Sequence, residues 1–324
     1  KFVLSPVTYD KELGAFRTKP ETWVKSDQPF MEDVLTLHKL IMENSQDEKE
    51  YQRYVRSIKS SVLSAFYTPM PVIQALSQSM KKAGITVTSF LDPSSGKGSF
   101  VEAFRGDNPD MKVTAFEKDL LTGLVLKGLY PQDDVHVDGY ETIDKHLLGT
   151  FDVAASNIPF GDISVFDQAY TKSDNEANRQ ASKAIHNYFF LKTLDNVREG
   201  GIVAFITSQG VMDSPRNKEI RKAMMERAYL VGAVRLPNNL FTDEAGTEVG
   251  SDLIILQKDS SKSRTYTEYS PEESAFIDNI NDFKGEQESL ESLDLGEGMA
   301  EKYRQANPNS YVFLSEYLWD VDSA

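Results

Sequence analysis

Short apolar runs alternate with amphipathic segments between residues 61 and 258, and this alternation constrains the fold more than any other feature. Several runs are rich in Val and Ile and nearly continuous in apolarity, as expected of strands buried on both faces. The intervening segments carry apolar residues at the three-and-four spacing of a helix. The pattern predicts a doubly wound α/β fold with a mostly parallel sheet of about seven strands. The predicted strands are Val87–Leu91, Val113–Phe116, Val135–Val137, Phe151–Ala155, Ile202–Ile206, Leu230–Val234 and Leu253–Leu256.

Two segments of different character flank this α/β region. Residues 1–60 are predicted to form a helical N-terminal element, residues 61–260 the α/β domain, and residues 261–324 an acidic C-terminal extension. The net charge of the chain is -15, and the extension contributes 14 acidic residues against 5 basic ones. Because the acidity is concentrated there, the rest of the chain could still present a basic face to a nucleic acid. Tight DNA binding by this segment alone is not expected.

Composition excludes several classes of site. The chain has no cysteine, so it contains neither disulfides nor thiolate metal sites, and this suits a reducing cytoplasm. Its four histidines form no ligand-spaced pair, and we predict no metal. We also predict no membrane segment and no signal peptide, and therefore a cytoplasmic location. The first residue is Lys1, which suggests a piece of a longer protein.

A glycine-containing loop follows the first predicted strand of the α/β region. Its sequence is Asp92-Pro93-Ser94-Ser95-Gly96-Lys97-Gly98-Ser99-Phe100. Glycines allow a backbone to approach a ligand closely, and the helix that follows favours anionic groups at its amino end. The phosphate-loop pattern fails here, and the three-glycine dinucleotide pattern is incomplete.

Acidic residues stand at the ends of the next two predicted strands. Glu117 follows Gly96 by 21 residues, where a carboxylate can accept hydrogen bonds from the ribose hydroxyls of a nucleoside. Asp138 ends the third predicted strand and could accept from an adenine amino group. Together with the glycine loop, these carboxylates predict a nucleoside-type cofactor.

The tetrapeptide Asn157-Ile158-Pro159-Phe160 follows the fourth predicted strand. At such a strand end, the Asn157 side-chain oxygen and the Ile158 carbonyl can accept both hydrogens of one amino group. Phe160 can present a flat face to a planar ring. The alternative interpretation is a turn in which Asn157 caps the next helix and Phe160 fills the core.

These motifs, in this order, resemble those of the adenine-N6 DNA methyltransferases that lack a circular permutation. Residues 92–100 look like the S-adenosylmethionine loop of that family, and residues 157–160 look like its catalytic tetrapeptide. The resemblance covers about residues 61–258 and is especially close to methylase modules of large helicase-containing proteins of phages and conjugative elements. The family usually has Pro where this chain has Ile158, and Tyr more often than Phe at position 160.

The resemblance implies a Rossmann-like fold, S-adenosylmethionine as cofactor and adenine in DNA as substrate. It implies catalysis by residues 157–160 and a weaker contribution from Phe241. It also implies DNA contacts through regions outside this segment, and further domains such as a helicase in the full-length chain. The implied cofactor-binding residues are Tyr67, Thr68, Pro69, Asp92, Pro93, Gly96, Gly98, Phe100, Glu117 and Asp138.

Two alternatives stay open from the sequence. The first keeps the chemistry and changes the substrate to a glutamine amide in a protein or to an RNA base. The second is a cofactor-binding module that is inactive without its DNA-recognition parts. Both are compatible with the acidic balance of the chain.

Overall fold

The computed structural model describes residues 7–23, 25, 28–64, 68–237, 240, 250–262 and 268–278. Its N-terminal part contains a small antiparallel hairpin of β1 (Thr8–Asp10) and β2 (Ala15–Arg17), followed by helices α1 (Met31–Glu43) and α2 (Glu48–Ser64). Short 3₁₀ turns lie between the hairpin and α1, at Pro20–Thr22 and Gln28–Phe30. The described residues therefore agree with a helical N-terminal element, to which the hairpin is an addition.

All seven predicted strands are present and form a single sheet. They are β3 (Ser89–Asp92), β4 (Lys112–Phe116), β5 (Asp134–His136), β6 (Phe151–Asn157), β7 (Val197–Ser208), β8 (Ala228–Leu236) and β9 (Ser251–Lys258). Their order across the sheet is β5-β4-β3-β6-β7-β9-β8. The first five are parallel neighbours, and β9 is antiparallel to both strands beside it. The predicted doubly wound, mostly parallel sheet is confirmed.

Helices cover both faces of the sheet. In β6, Ala154 packs into one hydrophobic cluster, and its neighbours Val153 and Ala155 pack into the other. This alternation is the two-residue period of a strand, here with apolar residues on both faces. The helices of the α/β region are α3 (Met70–Lys82), α4 (Ser99–Asp107), α5 (Leu120–Leu129), α6 (Gln168–Thr171), α7 (Glu176–Ala181), α8 (Ile185–Asn196), α9 (Gly210–Asp213) and α10 (Lys218–Met225). Three further 3₁₀ turns lie at Tyr140–Thr142, Lys145–Leu147 and Pro215–Asn217.

One helix of the predicted acidic extension is described, α11 (Pro271–Asp278), and it packs on the α/β domain. Arg221 of α10 is fully buried and donates from Nε and Nη2 to the Ile277 carbonyl at 3.1 and 2.9 Å. Its Nη1 donates to the carbonyls of Val211 and Ser214. A buried guanidinium needs such acceptors, so α11 and α10 are tightly linked. The boundary at residue 260 stays a prediction.

Candidate active site

The predicted site residues follow four adjacent parallel strands, so they lie along one edge of the sheet. Asp92 is the last residue of β3, Glu117 directly follows β4, and Asn157 is the last residue of β6. β5 ends at His136, one residue earlier than predicted, so the exposed Asp138 lies two residues beyond it in the following loop. At a strand spacing of about 4.8 Å, the four positions extend over about 14 Å.

The strand order reverses between β3 and β6. From β3 the chain proceeds outward through β4 and β5, and then returns to place β6 on the other side of β3. The crevice beyond such a switch point is where doubly wound sheets bind their ligands. The glycine loop after β3 and the tetrapeptide after β6 flank this crevice.

The glycine loop makes a tight turn into α4. The Gly98 amide donates to the Ser95 carbonyl at 2.8 Å, and the Ser95 amide donates to the Phe116 carbonyl at 2.9 Å. Gly98 is the N-cap of α4 with φ of +88°, a left-handed conformation that favours glycine. A Cβ at this position would lie 2.4 Å from Cε2 of Tyr130. The side chains of Tyr130 and Leu126 therefore occupy the space that a side chain at position 98 would need.

Glu117 connects the glycine loop to the end of β4. Its Oε2 accepts from the Gly96 amide at 2.8 Å, and its Oε1 accepts from the Asp119 amide at 2.7 Å. Burial raises the pKa of Glu117, and these backbone hydrogen bonds oppose that effect. Because a carboxylate offers about four acceptor positions, the half-buried Glu117 retains capacity for the predicted ribose hydroxyls.

Asp92 is fully buried beneath the glycine loop. Its Oδ1 accepts from the Ser156 hydroxyl at 2.7 Å and from the Ser94 amide at 3.3 Å. Burial raises the pKa of Asp92 to about 7, and the hydrogen bond from Ser156 opposes the shift. The orientation of the carboxylate is therefore fixed by both β6 and the loop.

Two buried oxygens of the predicted cofactor-binding residues have no hydrogen-bond partner in the described part of the chain, Asp92 Oδ2 and Thr68 Oγ1. Unsatisfied buried acceptors are costly, and they indicate groups that a ligand can satisfy. A cationic ligand with ammonium and hydroxyl donors fits this set, since it would compensate the Asp92 carboxylate and hydrogen-bond to Glu117. The residues present therefore fit S-adenosylmethionine.

The tetrapeptide leaves the sheet directly from β6. Asn157 pairs with Ile206 of β7, and the Ile158 amide donates to the Ile206 carbonyl at 3.0 Å. The Ile158 side chain is 1% exposed and packs in the same hydrophobic cluster as Phe205. An isoleucine can make both contacts, whereas a proline has no amide hydrogen to donate. The ladder bond and the buried side chain here hold the backbone of the tetrapeptide in place.

The alternative that Asn157 caps the next helix does not hold. The next helix is α6, and its N-cap is Asp167, whose side chain accepts from the Ala169 amide. Phe160 is half-buried and contacts the second hydrophobic cluster, so part of its surface packs and part faces outward. The Phe160 side chain thus packs on the core and also keeps part of its surface accessible.

Several residues that support the site were not identified from the sequence. The Ser57 hydroxyl of α2 donates to Asp119 Oδ2 at 2.5 Å, and the Leu121 amide donates to Ser57 Oγ at 3.2 Å. Asp119 caps α5 and donates its own amide to Glu117. The N-cap could have been recognised from an aspartate that precedes an apolar run. No local signal marks Ser57 or Ser156, because each acts across more than sixty residues of sequence.

The remaining predicted residues contribute differently. Thr68 is buried, and Pro69 is the N-cap of α3, while Tyr67 and Phe241 lie outside the described residues. Pro93 is buried in the turn, and Phe100 is 4% exposed within the core. The side chain of Phe100 therefore anchors α4 beneath the loop.

Two further findings concern the described part of the chain. No group of three or more histidine, aspartate or glutamate side chains within it is arranged to hold a metal ion. None of the helices it contains is long and apolar enough to cross a membrane.

Known proteins resemble this chain over half of its length or more. The defense against restriction protein B of Escherichia phage P1 is 28% identical over 200 residues, which cover 60% of this chain and 8% of that protein. The type II methyltransferase M.XamI of Xanthomonas campestris pv. amaranthicola is 26% identical over 174 residues, or 50% of this chain and 33% of that protein. The chain thus spans only a minor part of the length of these relatives.

A solved structure shares the fold. A putative class I S-adenosylmethionine-dependent methyltransferase from Listeria monocytogenes has a TM-score of 0.50 and 16% identity, and the match covers 77% of this chain and 78% of that one. The model of the family described as N-6 DNA Methylase matches residues 53–309, which is most of the chain. The chain therefore belongs to the N-6 DNA methylase family, and the Rossmann-like fold, the family and S-adenosylmethionine as its cofactor, all predicted from the sequence, are confirmed.

Proposed function

We propose that this chain transfers a methyl group from S-adenosylmethionine to the exocyclic amino group of adenine in DNA. The observation that carries the proposal is the position of Asn157 and Ile158 across the switch point from the glycine loop. This arrangement would place a polarised amine beside a bound methyl donor. Methyl transfer then needs orientation more than acid–base chemistry.

The residues of the chain have separate tasks in this proposal. Asn157 Oδ1 and the Ile158 carbonyl accept the two amino hydrogens and so concentrate the lone pair on nitrogen. Asp92 and Glu117 hold the two ends of the cofactor, which supplies an electrophilic methyl group. Phe160 presents its accessible face to the adenine ring. Since the nitrogen becomes acidic only after it is methylated, no strong general base is required.

An adenine within a duplex cannot reach a pocket of this kind, so the proposal includes base flipping. The chain is acidic overall, and phosphate contacts require positive charge. Together with the small share of its relatives' length that it spans, this supports target recognition by parts of a longer protein.

We include among these proposals a division of the chain at residues 60 and 260, and a bacterial cytoplasmic location.

The direct test is to express the full-length protein in a host without adenine methylation and to map methylated adenines in its DNA. Modified adenines at a defined sequence are expected. Methylation found only in RNA or protein fractions would show that the substrate is RNA or protein instead of DNA. Absence of methylation from all three fractions would contradict the proposal.

Replacing Glu117 by alanine is expected to weaken S-adenosylmethionine binding by roughly 10- to 100-fold, because the cofactor would lose its hydrogen bonds to a charged carboxylate. The same change also releases the Gly96 amide from its partner. Titration calorimetry measures the effect. Glu102→Ala, which removes an exposed glutamate of α4, is the matched control and should bind normally. Equal affinity of both variants for S-adenosylmethionine would show that Glu117 does not contact the cofactor.

Asp92→Asn is expected to stabilise the cofactor-free protein increasingly as the pH rises. The unfolded carboxyl ionises near its ordinary pKa of about 4, whereas burial holds the folded pKa at about 7. Folding stability of the wild type is therefore lost between pH 4 and 7, and asparagine removes that loss. Because the two pKa values differ by about three units, the gain at pH 8 should be on the order of 4 kcal/mol.

Urea unfolding at pH 4.5 and pH 8, without cofactor, measures this difference. Asp110→Asn, at an exposed aspartate, keeps Asp92 and serves as the control, so its stability should follow that of the wild type at both pH values. A constant difference between Asp92→Asn and the wild type across this range would contradict the assignment of a raised pKa to Asp92.

A further inference from the structure

Phe166 has an unusual environment six residues after the tetrapeptide. Its side chain is 81% exposed, more than any other large apolar side chain in the described part of the chain, and Ile163 on the same loop is 60% exposed. An exposed phenylalanine contributes nothing to the core, and this one stands on the loop that directly follows the tetrapeptide. The loop begins at Gly161, immediately after Phe160.

The exposure of Phe166 is imposed by its two neighbours, which are both buried. Val165 is 7% exposed, packs in the main hydrophobic cluster and donates its amide to the Ser182 carbonyl at 2.8 Å. Asp167 is 8% exposed and accepts at Oδ2 from the Tyr188 hydroxyl at 2.8 Å and from Lys192 Nζ at 2.9 Å. With both flanking residues fixed, the backbone holds Phe166 outward. The aromatic ring is therefore presented on a rigid support.

This support lies at the same edge of the sheet as Asn157. Ser182 precedes α8, which leads into β7, and a helix that connects parallel strands runs back along the sheet. The amino end of α8, and with it the loop that carries Phe166, thus lies at the carboxyl ends of the strands. The proposed adenine pocket opens at this edge.

We infer that Phe166 is a wedge that enters the base stack of a DNA duplex and occupies the space vacated by the flipped adenine. The inference rests on the proposed function. Proteins that unstack bases insert apolar side chains such as phenylalanine at the opened step. The Phe166 ring matches the size of one vacated base position, whereas a protein partner would need a broader apolar patch than Phe166 and Ile163 provide.

The surroundings of Phe166 also favour a base contact over a phosphate contact. Asp162 and Ser164 on the loop are exposed, and an exposed acidic group repels phosphates. Exposed Lys183 follows Ser182, the residue bonded to Val165, and offers a positive charge at the side of the loop. An apolar ring at the tip with a cation beside it suits insertion between bases.

The test uses the full-length protein and a synthetic duplex that contains the target site mapped in host DNA. A second duplex places an abasic position opposite the target adenine, so that the adenine is already unpaired. We expect Phe166→Ala to lower kcat/KM on the paired duplex by roughly tenfold and on the abasic duplex by less than about twofold, since opening costs least for an unpaired base. Phe166→Trp should retain activity on both duplexes, and Ser164→Ala is the matched control.

The outcomes separate the two proposals. Equal loss on both duplexes, or no loss on either, would overturn the wedge while leaving the proposed function intact. A defect confined to association with other parts of the protein would overturn it in favour of a protein contact. If the wild type methylates neither duplex, the proposed function fails, and the wedge fails with it.

Discussion

Replacing Asn157 by alanine is expected to lower methyl transfer by about 100- to 1,000-fold, the cost typical of removing one preorganised polar group from the reacting centre. The substitution removes the side-chain oxygen proposed to accept an amino hydrogen. Without it, only the Ile158 carbonyl would draw the lone pair onto nitrogen. The measurement is single-turnover methylation of target DNA by the full-length protein.

The fold of this variant should be preserved. The backbone of Asn157 pairs with Ile206 and the next amide bonds to the Ile206 carbonyl, and neither contact involves the side chain. Affinity for S-adenosylmethionine should therefore change little. Ser164→Ala, an exposed residue of the following loop, provides a control expected to keep full activity. Activity of Asn157→Ala within threefold of wild type would contradict the proposed mechanism.

Gly98→Ala is expected to reduce the free energy of unfolding by about 3 kcal/mol, through a left-handed backbone conformation and an overpacked contact. The new Cβ would lie 2.4 Å from Cε2 of Tyr130 and 2.9 Å from Cδ1 of Leu126. Leu126 is fully buried, and the Tyr130 hydroxyl donates to the Gly98 carbonyl at 3.2 Å. The turn must therefore shift, and cofactor affinity should fall as well.

A second glycine of α4 provides the matched control. A Cβ at Gly106 would meet nothing within 4 Å, and the backbone there has no positive φ. Gly106→Ala should be neutral, or stabilising by up to about 1 kcal/mol, as expected for alanine in a helix. Urea unfolding of both variants makes the comparison. Equal free energies for Gly98→Ala and Gly106→Ala would show that the turn tolerates a side chain.

The mutual support among the site residues was not predictable from the sequence. The sequence placed Asp92 and Glu117 at strand ends, and both lie there. It did not identify Ser156 as the partner of Asp92, nor Ser57 as the partner of Asp119. Each of these contacts joins residues that are distant along the chain, and a single sequence contains no signal for such pairs.

Ile158 illustrates a different limit. It stands where the family usually has proline, a residue that would fix φ at that position. In the structure, the Ile158 amide donates a hydrogen bond to the Ile206 carbonyl, and the Ile158 side chain is buried. These two contacts fix the backbone at this position without a proline ring. Because the acceptor of this hydrogen bond lies on β7, the contact exists only once β6 and β7 are paired.

Local physical chemistry explains what the sequence determined by itself. Runs of buried apolar residues and helical periodicity depend on neighbouring residues, so they predicted the seven strands and the α/β class, and the motifs at the strand ends carried the resemblance to the family. Strand order, the crevice between β3 and β6, and the outward placement of Phe166 depend on pairing between distant segments. Parallel strands pair only through long crossovers, and which strands become neighbours is therefore decided by the tertiary structure.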